Sequence, residues 1–310
     1  KAEHGFKIKH RSSDPSNLIE GEIWYNTTTQ QLKVSPLLKS WASGGNINTS
    51  RNELGGLGTT PAGLVFGGYT DENKNESEEY DGSSWTEGPN INTTRRNFKG
   101  AGTQTAAFAA GGYTSTAVAS TENYDGTNWT NSGNLNTARY GGVASGTQTA
   151  GLLVGGTGDT DGTEEYDGSS WTAANDNTTD RRRGVAGGTL TATIYVGGDT
   201  PPGSASSEVE EYDGTNWTAG TDTNVARTFQ QGWGTQSLFL NAGGSPAVAT
   251  SESWDNSAWT TDASMSTGRG SAGYGGASSS TGFVAGGKSP HTNVTEEYTS
   301  VVTARSVDTT

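Results

Sequence analysis

The chain has 310 residues, a formal charge of −14, 47 Gly, 29% apolar residues, three His and no Cys. The missing Cys exclude disulfides, thiolate metal sites and a Cys nucleophile, and so few His argue against a His-based zinc centre. Residues 1–39 hold six basic and four acidic groups, leaving 13 basic and 29 acidic in the rest. The body thus carries about −16, a surface that repels nucleic-acid phosphates and anionic bilayers, and no apolar run has the length of a membrane span or a signal peptide.

Taken in chain order, residues 21–34, GEIWYNTTTQQLKV, read as a short β-hairpin inside an N-terminal segment, 1–38. From residue 39 a repeat takes over. Gly-Gly follows a short apolar run at 67, 111, 155, 197, 243 and 286. Glu precedes an aromatic by two positions at Glu78/Tyr80, Glu122/Tyr124, Glu164/Tyr166, Glu210/Tyr212, Glu252/Trp254 and Glu296/Tyr298. Trp follows that aromatic by five positions at Trp85, Trp129, Trp171, Trp217 and Trp259, and an Arg series runs in step at 51, 95, 139, 181, 227 and 269.

Each period reads as four strands, for example 97–104, 105–112, 120–126 and 127–135, with the Asp-Gly of YDGSSW and YDGTNW supplying the positive φ of a tight turn. The sixth period lacks its Trp, and the missing residue stands at the other end of the chain. Trp41, 44 residues before Trp85, is followed by GGNINTSR as Trp85 is followed by GPNINTTR. These patterns predict an all-β, six-bladed propeller over 39–302, with four antiparallel strands per blade, its last blade closed by an N-terminal strand from 39–47, and a tail at 303–310. Closure leaves no open sheet edge in the ring.

Gly-Gly after a strand, then an aromatic, then Trp is a pattern that resembles the kelch repeat, over about residues 40–300. The wording GAGTQTAAFAAGG and ENYDGTNWT is similar to that of kelch-like proteins of marine tailed bacteriophages, and 21–34 resembles a segment near the start of phage tail-fibre and other virion proteins. The resemblance implies a virion or extracellular protein, from tail fibre or capsid, attached to other virion proteins through its N-terminal segment.

In such a blade the turns after strands one and three share one end, and the connections after strands two and four share the other. The first end is uniform across the copies, and the second varies. Repeated positions are explained by packing, whereas variable loops on a rigid scaffold carry recognition. The candidate ligand-binding residues are therefore Tyr69, Asp71, Tyr113, Asp159, Asp161, Asp199, Lys288 and His291. The Glu and Arg series read as repeated structural contacts and the blade Trp residues as inter-blade core, with Trp24 and Trp233 outside the series. Arg181-Arg182-Arg183 reads as a solvated charge run.

Asp159, Asp161 and Gly162 resemble part of a calcium loop, but its later ligands are out of place, so no metal and no cofactor is expected. Neither a nucleophile elbow nor a phosphate loop is present. The YDG turns differ from the Asp-box of sialidases, in which a residue separates Asp from Gly. The expected function is non-enzymatic adhesion to a host-surface glycan or protein, without nucleic-acid binding or membrane insertion. The alternatives are a purely structural virion subunit, homo-oligomeric or not, and a carbohydrate-active enzyme.

Overall fold

The computed structural model describes residues 8–157, 161–245, 247–288 and 290–307. It divides into a large unit, Trp41–Tyr298, and a small one made of Lys1–Ser40 with Thr299–Thr310. No helix occurs among the described residues, and the strands form seven four-stranded sheets. The chain is all-β, and the sheets of its large unit are propeller-like blades.

The first of these blades is an antiparallel meander of Gly55–Thr59, Ala62–Tyr69, Asn73–Tyr80 and Trp85–Gly88. Its second strand, AGLVFGGY, is apolar and buried through its middle because sheets cover both its faces. The Gly-Gly doublet ends that run as a bulge. Gly67 and Gly68 have φ of 61° and 109°, and the register slips between Phe66 and Gly68. The same meander recurs with first strands Lys99–Thr103, Val143–Thr147, Val185–Thr189 and Gln231–Gly234. A sixth sheet has the order Gly273–Ser278, Thr281–Ala285, Thr295–Val302, Leu37–Ser43, so its outermost strand precedes all the others in sequence.

The first strands neighbour one another in cyclic order, and Gly273–Ser278 lies beside Gly55–Thr59. They are Gly-rich because they converge: a Cβ on Gly56 would sit 2.3 Å from the Tyr274 backbone nitrogen.

Repeated side chains bind each sheet to the next. The Trp stacks on the aromatic of its own sheet, as in Tyr80–Trp85 at 4.7 Å. In three copies it donates Nε1–H to a Thr of the neighbouring sheet, Trp85 to Thr295 at 3.0 Å, Trp171 to Thr121 at 2.9 Å and Trp217 to Thr163 at 3.0 Å, whereas Trp129 Nε1 is buried without a hydrogen-bond partner. Gln104 donates to the Gly63 and Tyr80 carbonyls, and Gln148 to those of Ala107 and Tyr124. The Trp series is thus core, and Trp233, outside the series, is buried as well and packs with Trp41 and Tyr298.

Six Arg–Glu pairs are buried within the sheets, from Arg139–Glu164 at 2.5 Å to Arg95–Glu122 at 3.1 Å. Each Glu also accepts backbone N–H groups, Glu122 for instance from Asn92 and Thr93. Such pairs offset their desolvation only in part here: the Nη groups and the carboxylates are hydrogen-bonded, whereas the Nε–H groups of Arg51, Arg95, Arg181, Arg227 and Arg269 are buried without a hydrogen-bond partner.

In the small unit, Lys9–Arg11 runs parallel to Ile23–Asn26, which forms a hairpin with Gln31–Val34, and Arg305–Ser306 pairs with the far side of that hairpin. Asp14 accepts from Trp24 Nε1 at 3.2 Å and Asn26 Nδ2 at 2.8 Å, which fixes the buried Trp24. Ile8, Ile19 and Ile23 are exposed.

Candidate functional site

The two ends of the large unit differ as the sequence patterns imply. At the uniform end, Asp81, Asp125, Asp167, Asp213 and Asp255 each accept the N–H groups of the residues two and three positions on. These bonds hold the Asp81 carboxyl down at about 2, and lower those of Asp125 and Asp213. The groups repeat from sheet to sheet and are spent on the turns.

The variable end is organised by a ring of backbone hydrogen bonds. Two positions after each Arg of the series the chain turns into a first strand. There the N–H of Asn97 donates to Glu53 O, Gly141 to Asn97 O, Arg183 to Gly141 O, Phe229 to Arg183 O, Ser271 to Phe229 O, and Glu53 to Ser271 O, at 2.6–2.9 Å. The circle is closed. All six residues have positive φ, between 52° and 73°, a region costly for side chains other than Gly. The backbone repeats while the side chains do not: Glu, Asn, Gly, Arg, Phe and Ser occupy one position in six copies.

Immediately outside this ring, short antiparallel bridges pair the preceding residue with the one after the Gly-Gly bulge: Asn52 with Tyr69, Arg96 with Tyr113, Tyr140 with Thr157, Arg182 with Asp199, Thr228 with Ser245, and Gly270 with Lys288. Four of the candidates, Tyr69, Tyr113, Asp199 and Lys288, therefore occupy one repeated position at the rim. Half-buried rings form an arc there. The His291 ring meets Tyr69 edge-on at 6.3 Å, the Arg96 guanidinium lies 4.1 Å over Tyr69 and 5.3 Å from Tyr113, and Tyr113 meets Tyr140 at 5.2 Å.

Asp199 is buried and committed to structure, with Arg182 Nε at 3.0 Å, Arg183 Nη1 at 3.5 Å and Thr228 Oγ1 at 3.0 Å. The triple-Arg segment is accordingly not a solvated run, since Arg181 is buried against Glu210 and its two neighbours hold Asp199. Asp71 is exposed at a loop tip, and Asp161 is half-buried, its carbonyl taken by Asn177 N–H. Asp159 lies outside the described residues.

A cavity of about 730 Å³ opens at this end, lined by Glu53, Phe229, Ser245, Ser271, Lys288 and His291 among others. Its size is that of a small-molecule site. Below it, inside the ring, a chamber of about 20 Å³ is lined by Asn97, Lys99, Arg183, Gln230 and the same Glu53, Phe229 and Ser271. Lys99 and the ring residues escaped the sequence reading. The signal that points to them is disagreement at one register position after each Arg, visible once the copies are stacked on the Arg rather than on Gly-Gly. Among the described residues no group of three or more His, Asp or Glu is placed to hold a metal ion.

No family model matches the chain, and no curated protein matches it. Among solved structures, that of YjhT is similar, with a TM-score of 0.67 at 11% identity, over 83% of this chain and 99% of the YjhT chain. At that identity the likeness speaks to the fold.

Proposed function

We propose that the chain is a non-catalytic recognition module, a six-bladed propeller closed by Leu37–Ser43 as the fourth strand of its last blade, which binds a host-surface glycan at the variable end. The observation that carries this reading is the backbone ring. One position has six identical backbone roles and six different side chains; all six line the inner chamber, and three of them, Glu53, Phe229 and Ser271, also line the cavity of about 730 Å³. Packing accounts for what repeats, and recognition accounts for what differs. Inside the cavity His291 offers a ring edge, and Lys288 and Ser271 offer hydrogen bonds; along the rim outside it, the half-buried Tyr69, Tyr113 and Tyr140 offer ring faces to a sugar, with Arg96 beside them.

The cyclic order of first strands and the place of Leu37–Ser43 in the sixth sheet support the six-blade count. The repeat wording and the head segment support display on a phage tail fibre or capsid, with the small unit, and its exposed Ile8, Ile19 and Ile23, turned toward other virion proteins.

A glycan array and a host-cell binding assay test the recognition reading, run on the full chain and on one with 70–72 and 290–292 replaced by Gly-Ser. The reading expects binding that the replacement abolishes, and binding unaltered by it counts against the site. Locating the protein on intact particles distinguishes adhesion from a structural role. An outward-facing variable end fits adhesion, and one buried between subunits contradicts it. Product formation in an oligosaccharide turnover screen would replace the non-catalytic reading with an enzymatic one.

A further inference from the structure

Four positions after the series Arg, the first strands carry Gly55, Lys99, Val143, Val185, Gln231 and Gly273. One copy thus places a cation in a wall that is otherwise small, apolar or neutral. The Lys99 ammonium reaches across to lie 4.6 Å over the Tyr274 ring. Among the described residues it has no hydrogen bond and no ion pair. The carboxylate lining the same chamber, Glu53, is paired instead with Arg96 at 3.4 Å.

The immediate surroundings favour negative charge. The charged groups that line the chamber are Lys99, Arg183 and Glu53, with Lys288 in the cavity above, and Glu53 is already paired with Arg96. Asp199, beside Arg183, is held by Arg182 and Arg183, while Asp71, Glu72 and Asp161 stand in the outer loops and line neither space. A cationic mouth with low-dielectric walls concentrates anions. The chamber beside Lys99, about 20 Å³, admits roughly one water-sized atom. It shares Glu53, Phe229 and Ser271 with the cavity above, so a group held in that cavity can lower one oxygen through the ring.

We propose that Lys99 is an anion-binding residue, whose ammonium takes one oxygen of a carboxylate or phosphate group entering from the variable end. This deepens the recognition reading and rests on it: the ligand is an acidic one, and its charged group points down the axis.

The test is NMR of the full chain with ¹³C-labelled lysine side chains, titrated separately with acetate and with inorganic phosphate, and with chloride at matched ionic strength. The Lys99 signal is identified by its absence from the Lys99→Arg spectrum. The expected result is a saturable shift of that signal with acetate or with phosphate, the arm that saturates naming the group, and a shift that chloride does not reproduce. With binding followed in all three proteins by the backbone amide shifts of residues 97–101, Lys99→Met, checked for an unchanged melting temperature, weakens it by about tenfold or more, and Lys99→Arg restores it. A response equal to that of chloride, or undiminished binding in Lys99→Met, overturns the proposal. If array ligands still bind while Lys99 stays silent, this inference falls and the recognition reading stands. A Lys99 that responds while the array shows no binding at the variable end gives the reverse.

Discussion

At the scale of single residues, burial decides what a charge does. Lys99 sits within the axial channel, and burial pushes its amine down to about 8, against the pull of Glu53 toward the charged form. Tyr274 and Arg183 are the other titratable or charged groups near it, and burial drives the Tyr274 hydroxyl up, so it stays neutral. The unfolded chain therefore binds more protons than the native one between about 8 and the ordinary lysine value of 10.5, and this residue makes stability rise with pH across that window. Anion binding has the opposite dependence. It should weaken as pH rises through about 8, measured as the acetate or phosphate affinity at pH 6.5 and 9.5, and an affinity unchanged across that range would remove Lys99 from the site.

The buried ion pairs make a different prediction. Arg139→Ala strands Glu164 in the interior and should cost about 3–5 kcal/mol in denaturant unfolding, whereas Lys9→Ala, which removes only a solvent-facing partner of Glu22, should leave the unfolding midpoint nearly unchanged. The structural role of the Arg and Glu series was legible because both kept one phase; that they pair with each other was not. Asp199 was read as a ligand-facing carboxylate, and it is a buried acceptor for Arg182, Arg183 and Thr228, since no sequence period relates it to those partners.

At the scale of elements, the turns were the most legible feature. Asp-Gly was read as a tight turn, and Gly82, Gly126, Gly168 and Gly214 have φ between 88° and 98°, with Asn256 at 71° in the fifth copy. What pattern alone did not reveal is the second role of the Asp, whose carboxylate accepts two N–H groups of the turn. Lowered carboxyl values mean stability that is present above the unfolded value of 3.8 and lost as pH falls through the folded values, about 2 for Asp81. Thermal melts should therefore fall between pH 4 and pH 2. In a variant carrying Asp81→Asn, Asp125→Asn, Asp167→Asn, Asp213→Asn and Asp255→Asn, which keeps an acceptor that does not titrate, that fall should flatten. An equal acid dependence in the two proteins would show that these turns do not control it.

Strand limits were less legible than turns. The fourth strand expected over 127–135 is Trp129–Ser132, because only the stretch beside Thr121–Tyr124 finds ladder partners before the chain leaves for the variable end.

For the whole molecule, the missing Trp of the sixth period and the surplus Trp41 pointed to one relation between the chain ends, and Leu37–Ser43 does stand outermost in the sixth sheet. Trp41 packs on Trp233 and Tyr298 and donates to Ala263 O at 2.9 Å. If that strand closes the ring, deleting residues 1–47 should lower the melting temperature and expose the sixth sheet to amide exchange. A truncated chain that melts like the intact one would contradict closure.

The variable end was legible as a location and not as a site. Its loops could be found by their disagreement, but the ring of six backbone bonds and the chamber beneath it depend on strands up to 218 residues apart in sequence meeting at one axis, Glu53 on Ser271. The most direct measurement of the central claim is the affinity of an array-identified ligand for the variant Tyr69→Ala/Arg96→Ala/Tyr113→Ala, beside one substituted at the opposite end, Ser83→Ala/Thr127→Ala/Thr215→Ala. Loss of about tenfold or more in the first with no change in the second is the predicted result. Full affinity in the first, or loss confined to the second, would place recognition elsewhere.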